Sequence, residues 1–207
     1  VNQYWDIPVE WSGATAFVMA SGPSVLSIDC ERLRGQHVIA INTSFRVVPF
    51  AEYLIFADSR WWQHHRHELQ TAFPGRIISC SVSERDQRLL RLRRTGMLSD
   101  ARDAVMLMAT TTTGALELAA KLGAVRIVVL GLDGGVGPDG RIHHHKAHPW
   151  PILQGWQARH RADLVKIAGP LKARGVEVLL GTPGSAYADL WPTVKLADML
   201  GAERAAA

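Results

Sequence analysis

TTTTGALELAAKLGAVRIVVLGLDGG, residues 110–135, decides the fold. Threonines 110–113 and Gly114 open a helix over ALELAAKL, since hydroxyl side chains satisfy the free amides of a helix start. Gly123 then ends that helix, as glycine does where the chain must turn left-handed. VRIVVLG (125–131) follows, apolar without alternation. A strand of that kind is buried on both faces, as in a parallel sheet covered by helices. Asp133-Gly134-Gly135 closes it as a turn.

Outward from this block the alternation continues. TAFVMA (15–20) reads as a buried strand, and Ser21-Gly22-Pro23-Ser24 breaks it. Ser24 is expected to cap a helix over 25–34 that Gly35 closes. HVIAI (37–41), YLIFA (53–57) and RIISC (76–80) are further strands, with a helix over 60–71 between the last two. Residues 83–94 predict a basic helix and 95–103 a loop. An amphipathic helix spans 156–174, VEVLL (176–180) is the last strand, and GTPGS leads to a short C-terminal helix with a frayed tail, GAERAAA. Strands that alternate with helices need crossover connections. The expected class is α/β, a doubly wound, mainly parallel, Rossmann-like sheet in three αβα layers. Residues 1–207 are read as one domain, with a small lid around 136–155.

The 207 residues are 47% hydrophobic and 20% charged, a globular balance that excludes a disordered chain. Cys30 and Cys80 form no CxxC pair and lie near no metal-type pattern, which suits a reducing compartment. No apolar run approaches the ~20 residues that span a bilayer, and the first residues, VNQYWDIPVEW, lack the regions of a signal peptide. The expected location is the cytoplasm. Net charge is +4, and part of it clusters at Arg85, Arg88, Arg91, Arg93 and Arg94. That cluster reads first as a solvated helix face, with phosphate or nucleic-acid binding as its alternative. No oligomeric state follows from these residues.

In doubly wound sheets the ligand lies beyond the C-terminal ends of the strands. The residues there are small or polar: Gly22, Pro23, Ser24, Asn42, Ser44, Asp58, Gly131, Asp133 and Ser185. Gly22 would admit a ligand close to the backbone, and Ser24 would offer amides to an anion at a helix start. Thr112, Thr113 and Gly114 make a second such seat. Each also reads as an ordinary turn or cap. Asp58 and Asp133 could hold a ribose hydroxyl, ligate Mg²⁺ or act as bases. The run HHHKAH (143–148) reads as a solvated loop, with metal binding as the lesser alternative and no metal site assigned. His160, with Asp163 nearby, can serve as a general base.

The series ASGPSVLSID, INTS, TTTGALELAAKLGAVRIVVLGLDGG and the stretch from His160 to GTPGS, in that order over about residues 15–195, resembles two related groups. One is the bacterial sialyltransferases that use a CMP-sugar donor. The other is the DUF115 family, with archaeal 6-hydroxymethylpterin pyrophosphokinases and many phage proteins. The resemblance implies that Gly22, Pro23, Ser24 and Asn42 line a nucleotide pocket, that Thr112 and Thr113 help hold the nucleotide, and that His160 is the base with Asp163 behind it. The tyrosines that grip the donor phosphate in those enzymes have no counterpart in the 143–148 loop, which is closer to the DUF115 pattern of Gly-x-Asp followed by histidines.

Three functions follow, in this order. The first is a glycosyltransferase with a nucleotide-sugar donor of CMP type, in which His160 deprotonates an acceptor hydroxyl and Lys146 or His148 steadies the departing phosphate. The second is a pyrophosphokinase with Mg²⁺ on Asp58 and Asp133. The third is a nucleotide- or nucleic-acid-binding module that uses the 85–94 arginines.

Overall fold

The computed structural model describes residues 4–146 and 148–200. Nine strands run in chain order: β1 (Thr15–Met19), β2 (His37–Ile41), β3 (Tyr53–Phe56), β4 (Arg76–Ser79), β5 (Leu89–Arg91), β6 (Arg93–Thr95), β7 (Ala104–Met106), β8 (Arg126–Leu130) and β9 (Glu177–Leu180). Seven form one sheet in the order β5-β4-β3-β2-β1-β8-β9, while β6 and β7 pair apart from it. All pairings between these strands are parallel. The chain therefore winds outward from β1 to β5, then returns to the other side of β1. That reversal leaves a topological switch point between β1 and β8, where doubly wound sheets open a crevice.

Alternation along the strands sends side chains to two cores. Phe17, Met19, Val38, Leu54, Phe56, Val128 and Leu130 face one side with helix α1 (Ser59–Ala72). Ala16, Val18, Ile39, Ile55, Ile127 and Val129 face the other, against helices α2 (Thr111–Leu122) and α3 (Trp156–Ala173). The result is the three-layer Rossmann-like arrangement. Thr110 caps α2, its hydroxyl accepting the Thr112 amide at 3.2 Å, and Gly123 closes it at φ 109°.

A buried ion pair ties α2 to its surroundings. Glu117, fully buried, meets Lys121 Nζ at 2.7 Å. The same carboxylate accepts the amides of Ser99 at 3.0 Å and Met106 at 2.5 Å. Lys121 donates to the carbonyls of Ala101 and Ala104. The segment 99–106 is thus fastened to α2 by charges that hydrogen bonds satisfy on every side.

Three expectations are corrected. Residues 25–34 form no α-helix but two 3-10 turns, Pro23–Ser27 and Cys30–Leu33, separated by extended Ile28. Gly22, not Ser24, stands at the cap; Ser24 spends its amide and hydroxyl on Asp133. Residues 83–94 are not a basic helix. The period-two pattern of LLRLRR wins: Leu89 is buried in β5, and Arg91 turns inward over the Tyr4 ring, 5.2 Å from its centroid. The arginines therefore do not share one face. Arg88 pairs with Asp86 and Arg93 with Asp103. Third, β7 occupies 104–106, to which sequence reading assigned no element, and Thr95, expected in the loop, ends β6. Residues 196–200 are helical as expected, while the tail 201–207 lies outside the described residues. Among the described residues no helix is long and apolar enough to cross a membrane.

Candidate functional site

The C-terminal ends of β1, β2, β3 and β8, the start of α2 and one face of α3 enclose a cleft of about 950 Å³. Its floor is the switch point. After β1 the chain passes Ser21 and Gly22; after β8 it passes Gly131, Leu132 and Asp133, and all five line the cleft. The two turns are locked together. Asp133 Oδ1 accepts the Ser24 amide at 3.1 Å, and Oδ2 accepts the Ser24 hydroxyl at 2.8 Å. A Cβ at position 22 would run into Asp133 Oδ2 and the Gly131 carbonyl oxygen, so only glycine admits this latch. Burial nevertheless holds the Asp133 carboxyl above the usual aspartate range.

Asn42 follows β2 with φ 50°, the one positive value outside glycine among the described residues. A non-glycine residue there carries backbone strain, which asparagine tolerates better than most residues. Asn42 lines the cleft. Thr110 and Thr112 line the opposite wall. Asp163, on α3, accepts the amides of Ala109 at 2.6 Å and Thr110 at 3.3 Å, and so fixes the entry to α2. One turn earlier, the His160 ring lies beside the Ala109 backbone, which draws its pKa upward. Burial lowers the His160 pKa from its ordinary value, more than the neighbouring Asp163 raises it. The ring is therefore neutral at pH 7, the form that accepts a proton.

The segment after Gly135 forms a third wall. Ser21 O accepts the His144 amide at 3.1 Å, and the buried His144 Nε2 lies 3.3 Å from the Ser44 hydroxyl. His148 stacks on Trp150 with ring centroids 4.8 Å apart, and the Arg60 guanidinium lies over the same indole at 5.5 Å. Removal from water lowers the pKa of His143, His144 and His148 to about 4 in each case. In the unfolded chain such groups protonate near 6.5. Between those values the unfolded chain binds more protons than the folded one, so stability is full above about pH 6.5 and is lost as pH falls towards 4. The expected slope is at most about 1.4 kcal/mol per pH unit for each imidazole. Urea midpoints measured from pH 7.5 to 4.5 should fall in that window, and His144→Asn should flatten the fall. A level midpoint would contradict the burial of these rings.

No family model matches the chain, and no curated protein matches it. Solved structures do. The MAf glycosyltransferase from Magnetospirillum magneticum AMB-1 aligns with a TM-score of 0.60 at 14% identity, covering 99% of this chain and 38% of that one. The sialyltransferase CstII from Campylobacter jejuni, in complex with CMP-3FNeuAc, aligns with a TM-score of 0.57 at 13% identity, covering 86% of this chain and 85% of the other. Its complex with cytidine-5'-monophosphate aligns at 0.54. The α/β, Rossmann-like fold of this chain is similar to the folds of these glycosyltransferases. At these identities the likeness is one of fold, and the chain spans 38% of the length of the MAf glycosyltransferase.

Within this fold the residues singled out from sequence divide into two sets. Gly22, Asn42, Asp58, Thr112, Gly131, Asp133, His148 and His160 line the one cleft. Pro23, Ser24, Ser44, Thr113, Gly114 and Ser185 do not. The buried hydroxyls of the second set face the backbone instead. Ser44 donates to Ala20 O, Thr113 to Thr110 O and Ser185 to Leu132 O. Gly114 packs against Leu107 and Ile55. Ser24 serves no external anion, because Asp133 is the anion it meets.

His148 is also revised: with its pKa near 4 it is a neutral hydrogen-bonding group and not a cation at pH 7. Lys146 is exposed and does not line the cleft. Asp58 caps α1 through the Arg60 amide and is paired with the Arg60 guanidinium at 2.7 Å. Both carboxylates proposed for Mg²⁺ are thus engaged by protein donors. Among the described residues no group of three His, Cys, Asp or Glu is set to hold a metal ion.

Sequence reading did not place Arg94, Arg159, Trp150 and Trp156 at the cleft, which they also line; Arg94 stood only within the basic cluster. Arg94 donates to the carbonyls of Leu107 and Met108, and Arg159 to that of Gln154. Nothing local marks these residues; Arg94 was hidden by the helical reading of its segment.

Proposed function

We propose that this chain is a glycosyltransferase that takes a nucleotide-sugar donor of CMP type and transfers the sugar to an acceptor hydroxyl. One observation carries the reading: the crevice at the β1/β8 switch point brings glycine turns, a strained Asn42 and the threonine start of α2 into one cleft with a neutral, partly buried His160. Backbone amides and short side chains hold a nucleotide there. His160 takes the acceptor proton as the acceptor oxygen bonds to the anomeric carbon. The bond from that carbon to the phosphate oxygen breaks, and the nucleotide leaves with the electron pair. Arg94 and Arg159 offer the positive charge that the leaving phosphate needs and that neutral His148 lacks. The segment 136–155, with His143, His148 and Trp150 in the lining, is the cover of this site. The CMP-bound CstII structures share the fold and support the choice of donor.

A thermal-shift panel of CMP, UDP, GDP and ATP, with and without Mg²⁺, tests the reading. A ligand that binds only the folded state raises the melting temperature by mass action. CMP should raise it without Mg²⁺. A shift confined to ATP with Mg²⁺ would favour diphosphate transfer instead.

A further inference from the structure

Among the described residues ten large apolar side chains are exposed, and four of them line this one cleft: Val82 (69% exposed), Met108 (51%), Ile152 (43%) and Leu153 (66%). Trp150 and Trp156 line it too. Scattered single apolar residues need no explanation, but a concentration at the mouth of a cleft marks a surface that something covers. The wall is next to the proposed chemistry. The Trp156 ring stands edge-on to His160, with centroids 5.2 Å apart at 68°. The His160 ring also lies beside the Ala109 backbone, and Ala109 adjoins Met108 in the chain; both residues line the cleft. The base is therefore flanked by apolar surface, while the nucleotide-type turns occupy the β1/β8 end.

We infer that this wall is the acceptor subsite, and that the acceptor is an amphiphile: a hydroxyl-bearing head carried on an aliphatic or aromatic arm. This rests on the transferase reading above. The head must reach His160, so the arm lies outward along Trp156, Met108, Ile152 and Leu153. Burying that arm removes apolar area of both partners from water, which supplies affinity that a sugar head alone does not have. Continuity with the cleft favours this occupant over a second copy of the chain or a bilayer, which would cover the wall without placing a hydroxyl at the base.

The test needs no turnover. Methyl, hexyl and octyl β-D-glucoside, kept below micellar concentration, are titrated against the full chain by calorimetry, with and without saturating CMP. The octyl compound should bind at least tenfold more tightly than the methyl compound, and saturating CMP should not displace it. Leu153→Ser should cut the gain from chain length severalfold, while Val9→Ser, at an exposed apolar residue outside the cleft, should not. Equal affinity for all three glucosides overturns the inference. So does octyl binding that Leu153→Ser leaves unchanged, or that CMP abolishes by competition. Sedimentation with phosphatidylcholine vesicles or concentration-dependent dimerisation, each lost in Leu153→Ser and without glucoside binding, would assign the wall to a membrane or a second copy. If CMP does not bind but octyl glucoside does, the donor reading falls while the apolar ligand class stands.

Discussion

Replacing His160 by alanine is expected to slow sugar transfer by about 10²–10⁴-fold, the usual worth of a positioned general base, with CMP binding unchanged. The ring is the one imidazole of the cleft on α3, and Asp163 one turn later fixes the same Ala109–Thr110 backbone that the ring touches. Its depressed pKa keeps it unprotonated at pH 7. Rate should therefore rise with pH through a midpoint below the ordinary imidazole range and then level. His160→Gln, which keeps a hydrogen-bonding side chain of similar length, should lose the rate and also that pH step. Binding by CMP that survives while transfer collapses separates a base from a residue that merely shapes the cleft. Transfer within threefold of the unaltered protein would remove His160 from the chemistry.

The largest expected effect on stability is at Glu117. Glu117→Ala strips the partner from Lys121, which is itself buried, and leaves the Ser99 and Met106 amides without an acceptor. Breaking one side of a buried pair costs about 3–5 kcal/mol because the remaining charge is uncompensated. Urea denaturation at pH 7 should show a loss of that size. Glu117→Leu combined with Lys121→Met should recover part of it, since a hydrophobic pair avoids the desolvation that a lone ammonium suffers. The loss should also reach the site, because β7 and the 107–110 entry to α2 are what Glu117 and Asp163 hold in place. A cost under 1 kcal/mol would mean that the segment 99–106 is held by other contacts.

How far the sequence was readable depended on whether a segment's own pattern decided its structure. The block 110–135 is locally consistent. Its hydroxyl cap, apolar helix, closing glycine and apolar strand all point the same way, and α2 and β8 stand where they were expected. Strands β1 to β4 and β9 were legible for the same reason. The segment 83–94 was not, because RLLRLRR fits both periods. Pairing with β4 and the stacking of Arg91 on Tyr4 settle it, and both are tertiary. The turn at residues 21–24 was placed correctly but its chemistry was misread. Ser24 has its partner 109 residues away in Asp133, which no local pattern announces. The apolar wall was invisible for a related reason: Met108 and the 150–156 stretch come from separate segments and line one cleft only when α2 and α3 pack on the same face of the sheet.

The most direct measurement is a crystal structure of the protein grown with CMP. The nucleotide should lie across the gap between β1 and β8, with its polar groups within hydrogen-bond reach of the Gly22 turn, Asn42 or Thr112, and His160 left facing the open side. CMP seated elsewhere, with the β1/β8 rim untouched, would contradict this placement.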